Sequence, residues 1–168
     1  LWAKPPGRIL GANDRIRIGL IGCNGMGYSN LTSFLRLPQV EVAALCDVDA
    51  RVLDRREAEL VKGGRMKPRR YGDFRKMLEE PDIDMVIIGT PDHWHCLQVL
   101  HALEAGKDVY CEKPLANSIP EADRMLQAVR DSDRMVQVGQ WQRSEPHFEE
   151  AIAFVHSGAL GEIRLVKA

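Results

Sequence analysis

Gly22-Cys23-Asn24-Gly25-Met26-Gly27 lies between an apolar run and a helix-spaced pattern, a position where glycines serve phosphate chemistry. A strand that turns sharply into a helix gathers backbone N–H groups at the helix N-terminus, where an anion is stabilised. In the G-x-G-x-x-G turn that holds a dinucleotide, the first glycine permits the tight turn. The second lets the backbone approach the pyrophosphate, and the third allows close helix–strand packing. Gly22 and Gly27 take the first and third places, whereas Asn24 takes the second with Gly25 beside it. Asn is the non-glycine residue most tolerant of positive φ, so the turn is expected to survive with a less free approach for the diphosphate. Asp47 ends the next apolar run, 20 residues past Gly27. A carboxylate there accepts hydrogen bonds from both ribose hydroxyls of NAD and repels a 2′-phosphate. Its competing role is a cap for the helix beginning near Asp49. The pair favours NAD, while Arg51 and the basic stretch after it keep NADP open.

These residues need a scaffold, and the chain alternates strand-like and helical patterns throughout. Ile16–Ile21, Val40–Cys46, Met85–Ile88, Val109–Cys111 and Met135–Val138 are short apolar runs of the kind buried on both faces of a parallel sheet. Between and after them, apolar residues recur at helical offsets: Tyr28, Leu31, Phe34 and Leu35; Cys96, Val99, Leu100 and Leu103; Ala122, Met125, Leu126 and Val129; Phe148, Ala151, Ile152 and Val155. That order predicts right-handed βαβ units and a doubly wound α/β fold. Residues 51–76 carry ten Lys/Arg against four acids, which reads either as a solvated helix face plus loop or as help in holding a phosphate. The first 14 residues read as a leader without packing pattern. Gly158, Gly161 and then Glu162–Val166 read as a turn into a strand that should belong to a following domain.

The chain has 168 residues, 45% of them apolar and 28% charged, which suits one soluble globular domain. A net charge of −1 argues against a nucleic-acid binder driven by bulk charge. No apolar run approaches the ~20 residues that span a bilayer. Four cysteines without C-x-x-C spacing read as small, reduced core residues. His93, His95 and Cys96 lack the further ligands that zinc requires, so no metal is expected.

Gly89-Thr90-Pro91-Asp92-His93-Trp94-His95 and Glu112-Lys113-Pro114 carry a resemblance. With the glycine turn and the acid after the second strand, in that order, the sequence resembles the Gfo/Idh/MocA oxidoreductases from about Arg15 onward. The resemblance implies a Rossmann domain over 15–144 that binds a nicotinamide cofactor. A substrate domain of α+β type would follow, of which 145–168 supply the linking helix and first strand. It further implies an NAD(P)-dependent enzyme that moves a hydride between nicotinamide and a sugar or polyol hydroxyl. The chain by itself is expected to be inactive, and the full-length protein a homo-oligomer.

Lys113 is the residue expected to carry the chemistry. Oxidising an alcohol removes a hydride from carbon and a proton from oxygen, and an ammonium beside that oxygen stabilises the developing alkoxide and relays the proton. Gly22, Asn24, Gly25, Met26, Gly27, Asp47, Thr90, Pro91, His95, Glu112 and Lys113 are the expected cofactor-binding set. Thr90 is expected to offer its hydroxyl to the ribose, His95 to reach toward the cofactor, and Glu112 to line it. Trp141 and Arg143, after the last strand, are expected at the substrate, by stacking and by bidentate contact. An alternative is an NAD-dependent glycoside hydrolase that oxidises its sugar transiently and cleaves by elimination. Such relatives carry a Trp-Glu-Trp-His type segment where this chain has Asp92-His93-Trp94-His95, which counts against it. A third reading is a cofactor-holding module without chemistry. The leader from Ile9 to Arg15 is similar to that of exported family members, so a cytoplasmic or a periplasmic location stays open.

Overall fold

Short β-rich runs with residues enclosed on both sides build the centre of the molecule. In the computed structural model, which describes residues 15–167, they form β1 (Ile16–Ile21), β2 (Val40–Cys46), β3 (Arg69–Tyr71), β4 (Met85–Ile88), β5 (Asp108–Glu112) and β6 (Val136–Gly139). All neighbouring pairs are parallel, and the strand order is β3-β2-β1-β4-β5-β6. The helices are α1 (Gly25–Phe34), α2 (Ala50–Lys62), α3 (Phe74–Leu78), α4 (His95–Glu104), α5 (Ile119–Asp131) and α6 (Pro146–His156). The leader expected over 1–14 lies outside the described residues.

The period of 2 along each strand divides the core. Ile87 joins Ile18, Leu20, Leu31 and Leu45 on the face covered by α1 and α2. Its neighbours Val86 and Ile88 join Met77, Val99 and Met125 on the face covered by α3, α4 and α5. Strand order reverses between β1 and β4, and open α/β sheets bind ligands at the carboxyl ends beside such a switch point.

Local caps set where the helices begin. The Asp49 side chain accepts from Arg51 N at 2.9 Å and starts α2; the Asp73 side chain accepts from Arg75 N at 3.0 Å and starts α3. The cap therefore falls on Asp49 and leaves Asp47 outside that role. Neither β3 nor α3 has a readable pattern: three residues, Arg69-Arg70-Tyr71, make an edge strand, and five make one helical turn with a half. The basic stretch resolves mainly into surface ion pairs, among them Lys67–Glu57 at 3.1 Å, Arg70–Asp54 at 2.7 Å and Lys76–Glu79 at 2.9 Å. Such pairs contribute about 0–1 kcal/mol each.

Among the described residues, 162–166 form no strand, since no neighbouring strand lies beside them to take their hydrogen bonds.

All four thiols are buried. Burial, reinforced by nearby Asp47, pushes the Cys46 thiol up to about 12, and burial with Glu112 does the same for Cys111. The proton is held more tightly in the folded state, so this stabilising contribution is full below the ordinary thiol value of 9.0 and is lost as pH rises toward 12. At about pH 8 a disulfide reagent should therefore find no fast-reacting thiol in the native chain and four after unfolding in urea. A rapid native-state reaction would show that one of these thiols is open to solvent.

Candidate functional site

Three backbones meet at the switch point. Gly22 has φ +83° and Gly25 φ +43°, conformations that L side chains rarely adopt. A Cβ on Gly27 would stand 2.1 Å from Gly22 O, and one on Gly89 would stand 2.4 Å from Gly27 Cα. The glycine turn, the start of α1 and the end of β4 can pack this closely only without side chains. Gly89→Ala is accordingly expected to cost roughly 1–3 kcal/mol of stability, read from urea unfolding. An unchanged midpoint would mean that the contact is looser than described.

Asn24 behaves differently from the expectation of a positive φ. It is extended, at φ −110° and ψ 172°, and caps α1 by position only. Its Oδ1 accepts from Arg55 Nη2 at 3.0 Å and from Arg56 Nη2 at 3.3 Å, so its carboxamide is tied to α2. Beside Gly25 the space is open, since a Cβ there would meet nothing within 4 Å. The bare backbone that the second glycine normally supplies thus sits one residue later. The first-turn N–H groups of α1 have no intrahelical acceptor, as at any helix start.

A cavity of about 450 Å³ opens beside this turn, lined by Gly22, Asn24, Asp47, Val48, Asp73 and Thr90 among others. Asp47 Oδ2 accepts from Cys23 N at 2.8 Å and Oδ1 from Asp49 N at 3.0 Å. The carboxylate thus ties the glycine turn to the end of β2, and each oxygen keeps a lone pair for a further donor. Of the nearby cations, Arg51 lies 2.9 Å from Asp49 and Arg75 3.1 Å from Asp73, while Arg55 and Arg56 are held on Asn24 Oδ1. Hydrogen bonding to Arg51 holds the Asp49 carboxyl below its ordinary range, and the Arg75 backbone N–H does the same for Asp73. Two acids line this end of the cavity, Asp47 and Asp73, the latter paired with Arg75, which disfavours an extra phosphate there.

The second half of the site is a polar relay under the loops. Thr90 Oγ1 donates to Gln98 Oε1 at 2.7 Å, so its proton is committed and only acceptor capacity remains for a ligand. His95 is 1% exposed. Its Nδ1 lies 2.8 Å from Pro114 O and its Nε2 2.9 Å from Thr90 O. The expectation that His95 reaches the cofactor is therefore replaced by a brace between the Thr90 and Pro114 loops. Glu112 is likewise enclosed, at 4% exposure. Its Oε1 accepts from Asn30 Nδ2 at 2.8 Å and its Oε2 from Lys113 N at 3.0 Å. It holds the Lys113 backbone and does not line either cavity. Asn30 and Gln98 were not foreseen; the only signal was an amide inside an otherwise apolar helix face.

Lys113 is exposed and shares a second cavity, of about 690 Å³, with Met26 of the glycine turn and with Gln140, Trp141, Gln142 and Arg143. The expected substrate residues Trp141 and Arg143 are thus brought to Lys113 by the 3-10 turn at Trp141–Ser144. Among the described residues no three His, Cys, Asp or Glu side chains come together to hold a metal, and no helix is long and apolar enough to cross a membrane.

Residues 16–140 match the family described as oxidoreductase family, NAD-binding Rossmann fold, abbreviated Gfo/Idh/MocA. The chain belongs to that family. An oxidoreductase of Rhizobium meliloti, itself uncharacterized, is 34% identical over 155 residues, which is 92% of this chain and 45% of that one. A glycosyl hydrolase family 109 protein of Shewanella putrefaciens is 40% identical over 112 residues, 64% of this chain and 24% of its own length. Among solved structures, scyllo-inositol dehydrogenase of Lactobacillus casei with bound NAD(H) and scyllo-inositol superposes with TM-score 0.79 at 28% identity, covering 89% of this chain and 43% of that one. Myo-inositol 2-dehydrogenase of Lactobacillus plantarum gives TM-score 0.80 at 25% identity, again over 89% of this chain and 43% of the other. The chain spans under half the length of these relatives.

Proposed function

We propose that this Gfo/Idh/MocA chain forms the cofactor half of an enzyme that moves a hydride between nicotinamide and a sugar or polyol hydroxyl. The observation that carries the reading is the cavity that Lys113 shares with Met26 of the glycine turn. The fit to a dinucleotide rests on the bare backbone at Gly22, Gly25 and Gly89 and on the free lone pairs of Asp47. Gly22, Gly25, Gly27 and the start of α1 would hold the diphosphate, Asp47 the adenosine ribose, and Thr90 and Pro91 the crossing between the two cavities. The acid-rich ribose end favours NAD over NADP.

When bound, nicotinamide supplies the hydride acceptor or donor. Lys113 holds its cation against the reacting oxygen, stabilises charge that develops there and passes the proton on. Glu112 and His95 keep that lysine's loop in register, because a site loosened by an ångström loses much of its rate. Residues 145–168 lead into a second domain, which would cover the apolar side chains that α6 exposes, Phe148, Ile152 and Phe154, and would carry the homo-oligomer contacts. Full-length protein with NAD and a panel of inositols and aldoses should produce NADH absorbance; no turnover with any of them, while NAD still binds, would leave a cofactor-holding module.

The family 109 likeness supports a second reading, glycosidic cleavage by transient oxidation. Incubation with aryl glycosides without added cofactor separates the two: release of phenol selects the second.

A further inference from the structure

The cavity around Lys113 has a charge that a neutral polyol does not call for. Its lining contains two cations, Lys113 and Arg143, two amides, Gln140 and Gln142, and the indole of Trp141, but no carboxylate. Neither cation has an ion pair among the described residues; the Arg143 side chain makes one long contact, Nη1 to Gln140 Oε1 at 3.4 Å. Glu112, next to Lys113, is spent inside the fold on Asn30 Nδ2 and Lys113 N, and Glu145, two residues past Arg143, has its Oε2 3.8 Å from His147 Nδ1. Some exposed arginines of this chain are paired, as Arg51 is with Asp49, Arg75 with Asp73 and Arg164 with Glu162. Arg143 has no such partner and shares its cavity with Lys113.

Hydroxyl groups donate as well as accept, and a site for a neutral polyol needs acceptors to match. Here every charged side chain is a donor, an ammonium and a guanidinium, beside an indole N–H and two amides that both donate and accept. Oxidised nicotinamide would add a further positive charge. A carboxylate on the substrate balances this field, and a guanidinium receives it through two parallel hydrogen bonds.

We propose that the substrate is a sugar acid, its carboxylate bound by Arg143 while its reacting hydroxyl lies against Lys113, with the ring on Trp141. The proposal rests on the oxidoreductase reading above and narrows its substrate class.

Calorimetric titration of full-length protein saturated with NADH tests it. The probes are D-glucuronate, D-galacturonate and D-gluconate, their neutral amides, and glucose 6-phosphate. At least one acid should bind about tenfold or more tightly than its own amide. Arg143→Ala should abolish that preference, the acid losing about tenfold or more and the amide much less, and Arg143→Lys should restore part of it. Acids that bind no better than amides, an Arg143→Ala variant that weakens both alike, or glucose 6-phosphate bound more tightly than every acid would overturn the proposal. Thermal unfolding of each variant separates misfolding from lost recognition. If NADH itself is not taken up, the oxidoreductase reading fails and this one with it; NADH uptake with equal acid and amide binding removes only the sugar-acid assignment.

Discussion

Lys113→Ala in the full-length protein is expected to lower kcat by roughly 10²–10⁴-fold while NAD affinity stays within about threefold. The lysine faces the second cavity, and the turn that carries it is fixed from beneath by Glu112 Oε2 on its own N–H and by His95 on Pro114 O. On the proposed reading, removing the side chain deletes a charge at the reacting oxygen without releasing the loop. An arginine there keeps the charge but not the compact point donor, and should recover only part of the rate. Steady-state kinetics with a separate NADH fluorescence titration distinguish the two effects. Equal turnover in the alanine variant would show that the reacting oxygen lies elsewhere.

Asp47→Ala is the second large effect, and it falls on binding instead of rate. The carboxylate joins Cys23 N and Asp49 N across the mouth of the first cavity. Its loss leaves the glycine turn untied and would remove the two acceptors proposed for the ribose hydroxyls, so NAD affinity should fall on the order of a hundredfold. NADP should be affected much less, because the negative charge that repels a 2′-phosphate leaves with the carboxylate. The ratio of NAD to NADP dissociation constants reads this directly. A parallel loss for both would place Asp47 in the scaffold alone.

The parts legible in the sequence are those where one local rule dominates. Ile87 between Val86 and Ile88 reads as a strand enclosed on both faces, and the strand–glycine–helix order around Gly22 reads as a switch-point turn. β3 was not legible because Arg69-Arg70-Tyr71 has no apolar run; its place is set by pairing with Ala44–Cys46. Glu162–Val166 shows the converse, a strand-like run that finds no partner among the described residues. In the site, residue types were legible and their directions were not. Asn24 is withdrawn toward α2 by Arg55 and Arg56, 31 and 32 residues away in sequence. His95 and Glu112 face inward because Thr90 O, Pro114 O and Asn30 Nδ2 are waiting there, partners that only the folded chain assembles.

Whether the turn at 22–27 and the acid at 47 form one dinucleotide cradle is tested most directly by titrating this chain with NADH while following nicotinamide fluorescence. Saturable uptake of one equivalent in the micromolar range, lost in Asp47→Ala, is the predicted result; no saturation at millimolar NADH, or uptake indifferent to that substitution, would contradict it.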